Sequence, residues 1–152
     1  MANTQAMATS FKGELLNAYH NFSAANPAHT LNTADAFKAA LYLASATMNA
    51  TATAYTATSE VSGTGYTAGG VTTGAWNAPS TSGTTGFTTP TGSITYTTVT
   101  LTTAFDAVLI YNNTQGNRAV SVHTFGSQTV TAGTFTLTMP ANAAATALIR
   151  LA

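Results

Sequence analysis

The chain has 152 residues, the length of one domain; 45% of them are hydrophobic and only 5% charged. Its four Lys and Arg and four Asp and Glu cancel to a formal net charge of zero. They are scattered singly, which argues against nucleic acid and anionic membrane surfaces as partners, because both need clustered cations.

With no cysteine there is no disulfide, no thiolate nucleophile and no Cys-ligated zinc. Enough apolar residues remain to build a core, unlike disordered chains of low hydropathy and high net charge. Threonine, at roughly a fifth of the chain, is the most frequent residue. It favours the pleated surface of a sheet and makes a surface polar without charge. Such a surface has little electrostatic repulsion to keep copies apart.

Residues 1–10 are small and polar and read as a disordered end or as an N-terminal arm that orders on docking. The opening segment MANTQAMATSFKGELLNAYHNF has no basic stretch followed by an unbroken apolar run, so no secretory signal is expected. No apolar stretch reaches the ~20 residues of a membrane helix. Over residues 11–22, Phe11, Leu15, Leu16, Tyr19 and Phe22 recur at helical spacing. This predicts a short amphipathic helix with Ser10 as N-cap, closed before Asn26-Pro27.

FKAALYLA (37–44) fits either a helical stripe or a strand, and its length favours the strand. Short strands are expected around Glu60-Val61 and over 71–76, separated by the turn-like GTGYTAGG. APSTSGTTGFTTPTG (78–92) reads as a surface loop. Residues 93–103, 107–111, 118–125, 134–139 and 147–151 have strand patterns. NNTQGN (112–117) is expected to be a hairpin loop and Ala132-Gly133 a turn. The fold class is therefore mainly β: a β-sandwich or jelly roll, one domain over 11–152, with a short N-terminal helix.

No reaction is legible. Gly63, Gly65 and Ala68 match a G-x-G-x-x-A dinucleotide fingerprint, but that motif works only where a helix follows, and AGGVTTG does not promise one. The reading preferred is a turn between strands. His123 with Asp106 and a serine would make a hydrolytic set, but there is no G-x-S-x-G elbow, and His123 alternates within AVSVHTF as a strand residue. His20 falls at the helix end, His29 in a loop, and Asp35 and Asp106 suit turns or strand ends. No metal-ligand spacing is visible. No catalytic, cofactor-binding or metal-binding residue is assigned.

Two binding readings remain. Thr51/Thr53, Thr95/Thr97 and Thr134/Thr136/Thr138 could array hydroxyls as an ice-binding surface does, but they follow no fixed period. Tyr66, Trp76, Phe87 and Tyr96 could stack on a carbohydrate, although core burial is the commoner fate of scattered aromatics.

The order FKGELLNAYHNF, FKAALYLASATMNATATAYTATSEVSGTGYTAGGV, FDAVLIYNNTQGNRAVSVHTFGS, GTFTLTMP and ALIRLA resembles a family of small virion proteins of tailed bacteriophages. EVSGTGYTAGG (60–70) is the most distinctive part, and the chain departs from the pattern over 75–92. The resemblance supports a strand over FKAALYLA and carries over Gly63, Gly65, Gly69 and Gly70 as a structural turn only. It implies a non-enzymatic protein of the virion, made in the host cytoplasm. The expected role is capsid decoration, binding the major capsid protein as a dimer or trimer; the alternative is a neck, tail or fibre component.

Overall fold

The computed structural model describes residues 2–23 and 33–152. Strand β1 (Ala6–Met7) and helix α1 (Thr9–Leu16) come first, then β2 (Phe37–Leu43), β3 (Val71–Thr72), β4 (Ser80–Ser82) and β5 (Thr85–Thr88). Two long strands, β6 (Ile94–Asn112) and β7 (Arg118–Leu137), precede the closing β8 (Ile149–Leu151). Among the described residues the fold is mainly β and sandwich-like, with two antiparallel sheets and one short helix; the connections do not by themselves define a jelly roll. The five-stranded sheet has the order β1-β7-β6-β2-β3 and the three-stranded sheet β4-β5-β8.

FKAALYL forms a strand because both of its faces are covered. Ala39, Ala40, Leu41 and Tyr42 are all buried, where a helix would hide only one stripe. β2 pairs with β6 from Phe37↔Asn112 to Leu43↔Phe105 and with β3 on its other side. The buried cluster built on it runs in sequence from Ala8 to Ile149.

The strands expected separately over 93–103 and 107–111, and over 118–125 and 134–139, are joined into β6 and β7. What looks like punctuation in the sequence is irregularity inside the ladder. The pairing shifts register between Tyr96 and Val99, between Leu101 and Phe105 and between Phe105 and Ala107, and Thr98 and Ala132 adopt φ of 52° and 45°. An extra residue on one strand interrupts the alternation without ending the strand, so Ala132-Gly133 is not a hairpin turn. The turn over 112–117 is real. Asn112 Oδ1 accepts from the backbone N–H of Thr114 and Gln115, and Gly116 and Asn117 have φ of 68° and 59°.

Four further expectations are corrected. The helix is shorter and earlier than 11–22, because Ala18 turns to φ 56° and the Tyr19 N–H returns to the Glu14 carbonyl. Ala8, not Ser10, stands at its N-cap, and the buried Ser10 hydroxyl has no partner among the described residues. The segment expected as an arm is docked: Asn3 Nδ2 donates to the Leu43 carbonyl and to Asp106 Oδ1, Asn3 Oδ1 accepts from the Met48 N–H, and β1 pairs with Ser121 and Val122. The expected loop over 78–92 contains the β4–β5 hairpin, whose second strand pairs with β8. Backbone pairing supplies what its Ser, Thr and Gly side chains do not advertise. Asn26, Pro27 and His29 lie outside the described residues.

Candidate functional site

EVSGTGYTAGG wraps the free side of β6 and locks onto β2. Thr64 bridges Thr100, the Val61 N–H donates to the Leu41 carbonyl, and Gly70 leads straight into β3. No helix follows the glycines, so they present no helix N-terminus to a pyrophosphate. Gly70, at φ 70°, lies so close to the Ala39 carbonyl that a Cβ would collide with it, and a Cβ on Gly63 would collide with the Thr100 carbonyl.

Glu60 sits at the centre of this segment. Its Oε1 accepts from the Tyr66 hydroxyl at 2.7 Å and the Gly69 N–H at 2.8 Å, and its Oε2 from the Tyr55 hydroxyl at 2.7 Å. Around it the Tyr96, Tyr111 and Tyr42 hydroxyls donate to the carbonyls of Ala39, Gly69 and Thr56. Burial first, and the nearby carboxylate second, push Tyr111 up to about 12; burial and the hydrogen bond to Glu60 do the same for Tyr55. Burial raises Tyr42, Tyr66 and Tyr96 as well. Every polar atom named here has a partner, so the cage holds structure and offers nothing to a substrate.

A second polar cluster joins α1 to the turn between β6 and β7. Glu14 Oε2 lies 2.8 Å from His20 Nε2, its Oε1 accepts from Arg118 at 2.8 Å, and the Arg118 guanidinium stacks over Tyr19. Asn112 Nδ2 bridges His20 Nδ1 and Asp35 Oδ2, and Asp35 also accepts from the Asn21 N–H. Burial lowers the pKa of His20 against the opposing pull of Glu14. His20, Asp35 and Arg118 thus share one structural clasp, whereas Asp106 lies within β6 and is held by Asn3.

The arrangement nearest to a nucleophile and base is Ser121 Oγ at 2.8 Å from His123 Nε2, two residues apart on one face of β7. Ser121 is 2% exposed, burial lowers His123 to about 4, and none of the hydrogen bonds of the described residues joins a carboxylate to this histidine. A buried hydroxyl beside so weak a base is a poor start for acyl transfer. Among the described residues no group of three His, Cys, Asp or Glu side chains converges as a metal site. No helix of the described residues is long and apolar enough to cross a membrane.

The aromatics weighed for sugar stacking are packed inward: Trp76 against Phe22 and Phe37, Tyr66 against Tyr96, and Tyr96 against Phe135. Phe87 lines an apolar groove of about 470 Å³ with Phe11, Leu15, Phe22, Ile149 and Leu151. Its rim reaches residue 23, where the described segment ends, and we assign it no ligand.

The open surface lies elsewhere. From Val61 to Phe105 and from Ala119 to Ile149 there is no Lys, Arg, Asp or Glu. These stretches contain the half of the β6–β7 ribbon that extends past β2. There Thr95, Thr97, Thr98, Thr102 and Thr103 are exposed on β6, and Gly126, Ser127, Gln128, Thr129, Thr134 and Thr136 on β7. Thr95 stands directly opposite Thr136, but the register shifts that follow deny the hydroxyls a regular lattice of the kind an ice-binding face needs. The uncharged runs are visible in the sequence; that they meet on one ribbon is not.

No protein-family model, curated protein or solved structure matches this chain.

Proposed function

We propose that the protein is a non-enzymatic structural component of a tailed-bacteriophage virion, a capsid decoration protein that binds the outside of the major capsid protein shell as a homo-oligomer. The observation that carries this reading is the charge-free, threonine-rich outer half of the β6–β7 ribbon, standing on a core that commits its polar groups to its own fold. A ribbon that can hydrogen-bond but not repel suits contact with other protein. Each copy bound only to the assembled shell stabilises it by mass action, and many weak copies on one shell add by avidity. The resemblance of FKGELLNAYHNF and EVSGTGYTAGG to virion proteins points the same way.

A neck, tail or fibre station is the second reading. It is favoured by the exposed β4 strand and the Gly83 tip of its hairpin, in the region where the chain departs from the family pattern. Imaging purified particles that carry a labelled copy separates the two. Hundreds of copies over the shell mean decoration, about a dozen at one vertex mean neck or tail, and absence from every particle overturns both.

A further inference from the structure

Most sheet edges in this protein are short or guarded. β1 and β3 have two residues each, β4 follows Pro79, β8 carries Arg150, and the outer side of β6 is covered by the Thr64 bridge and by the Ala44 N–H on the Ala104 carbonyl. These are the usual means by which a sheet avoids adding strands. β7 is the exception. β1 covers its outer side only at Ser121 and Val122, the Ala8 N–H reaches the Val120 carbonyl, and no backbone hydrogen bond from another described segment reaches that side beyond Val122. Neither charge nor proline interrupts this edge as far as Leu137.

We infer that the β7 edge over residues 133–137 pairs antiparallel with the same edge of a second copy, extending the five-stranded sheet across a two-fold axis near Phe135. Unpaired backbone N–H and C=O groups in a row are matched best by another extended strand. The irregularities between Thr124 and Gln128 and between Val130 and Gly133 put extra residues on β7 and kink the rest of the edge, whereas the shift between Gly133 and Phe135 puts its extra residue on β6; Phe135, Thr136 and Leu137 stay in register with Tyr96, Thr95 and Ile94.

Self-pairing is favoured over a foreign strand by charge. Across a two-fold axis a charged residue meets its own sign at or near the position opposite, and this edge has no charge to repel, on a chain of zero net charge. Apolar burial adds to it. Phe135 and Leu137 are only partly buried in the single chain, and an adjoining copy would cover both, while Thr134 and Thr136 meet their counterparts on the other face. This inference rests on the reading of the protein as an assembling subunit but not on any station in a particle.

The test uses the full chain. Sedimentation velocity of the wild type is expected to give a concentration-dependent dimer. T134K/T136K, which sets ammonium groups opposite one another in a pairing centred on Phe135, is expected to need at least tenfold more protein to dimerise, with an unchanged melting curve because both sites are exposed. Since the chain has no cysteine, a mixture of T134C and T136C chains is expected to crosslink on mild oxidation faster than either alone, and faster than T102C on β6. A wild type that stays monomeric, a dimer indifferent to the lysine pair, or crosslinking strongest through T102C overturns the inference. Incorporation of tagged wild-type protein into particles reads the proposed function separately: particle binding without edge dimers sinks only the inference, and edge dimers without particle binding sink only the phage reading.

Discussion

The two ends of the β6–β7 ribbon obey different chemistry. At the turn end, Arg118, Asn112 and Ala119 sit among Glu14, His20, Asp35 and the 53–55 segment, and charges are matched within the chain. At the far end, past β2, the same two strands carry no Lys, Arg, His, Asp or Glu and leave one backbone edge open. Glu14, Asp35, Glu60, Asp106 and Arg118 are paired within the fold; on the proposed reading, the surface without charge is the one that meets neighbours. Substitutions at the two ends should therefore fail in different ways, the first in stability and the second in assembly.

The largest effect is expected where the turn segment meets β2. Gly70→Ala forces a Cβ into the Ala39 carbonyl at a positive φ, and should cost about 3 kcal/mol or more in urea unfolding. Loss of the Glu60 carboxylate in Glu60→Ala strands two tyrosine hydroxyls and the Gly69 N–H, and about 2–4 kcal/mol is expected by the same measurement. In the clasp, Glu14→Ala leaves the side chain of His20 buried and Arg118 unpaired, for about 2–3 kcal/mol.

The pH response distinguishes the tyrosine cage from the histidines. In the folded chain Tyr55 and Tyr111 are raised to about 12 from an ordinary 10, so between those values the unfolded chain releases protons that the folded chain keeps. Stability is thus full below pH 10 and is lost as pH rises from there, and tyrosinate absorbance should appear together with unfolding. The histidines act at the other end. His123 is lowered to about 4 and His20 is lowered too, so the unfolded chain takes up protons first as pH falls below 6.5. Stability present above that value should fall between pH 6.5 and about 4, and His123→Gln should flatten that slope in thermal melts. The smallest effect on the single chain belongs to the ribbon: Thr95→Lys or Thr136→Lys should shift unfolding by no more than about 0.5 kcal/mol, while weakening assembly.

What the sequence disclosed followed apolar patterning. Phe37, Leu41 and Tyr42 announced β2, and the alternation of Phe135 and Leu137 with threonine announced the end of β7. Where backbone geometry decides, side-chain pattern was silent or misleading. Ala132-Gly133 looks like a turn but lies within β7 where the pairing shifts register, and Tyr19 and Phe22 keep helical spacing beyond a helix that Ala18 has already ended. β4 and β5 escaped notice because Ser, Thr and Gly pair through their main chain. The Glu60 cage was illegible because it draws Tyr55 and Tyr66 from either side of the carboxylate and Tyr42, Tyr96 and Tyr111 from two different strands; the open β7 edge was illegible because a missing neighbour leaves no mark in a sequence.

Hydrogen exchange on the free protein and on the same protein bound to purified phage particles bears most directly on the claim that the uncharged ribbon is the contact surface. The account predicts that the outward amides of β7 over 123–137, those not paired with β6, exchange readily in the free chain at concentrations too low for dimers and are slowed in the particle, while those around Glu14, His20 and Arg118 change little. Slowing confined to the clasp, or none anywhere in a particle that retains the protein, contradicts it.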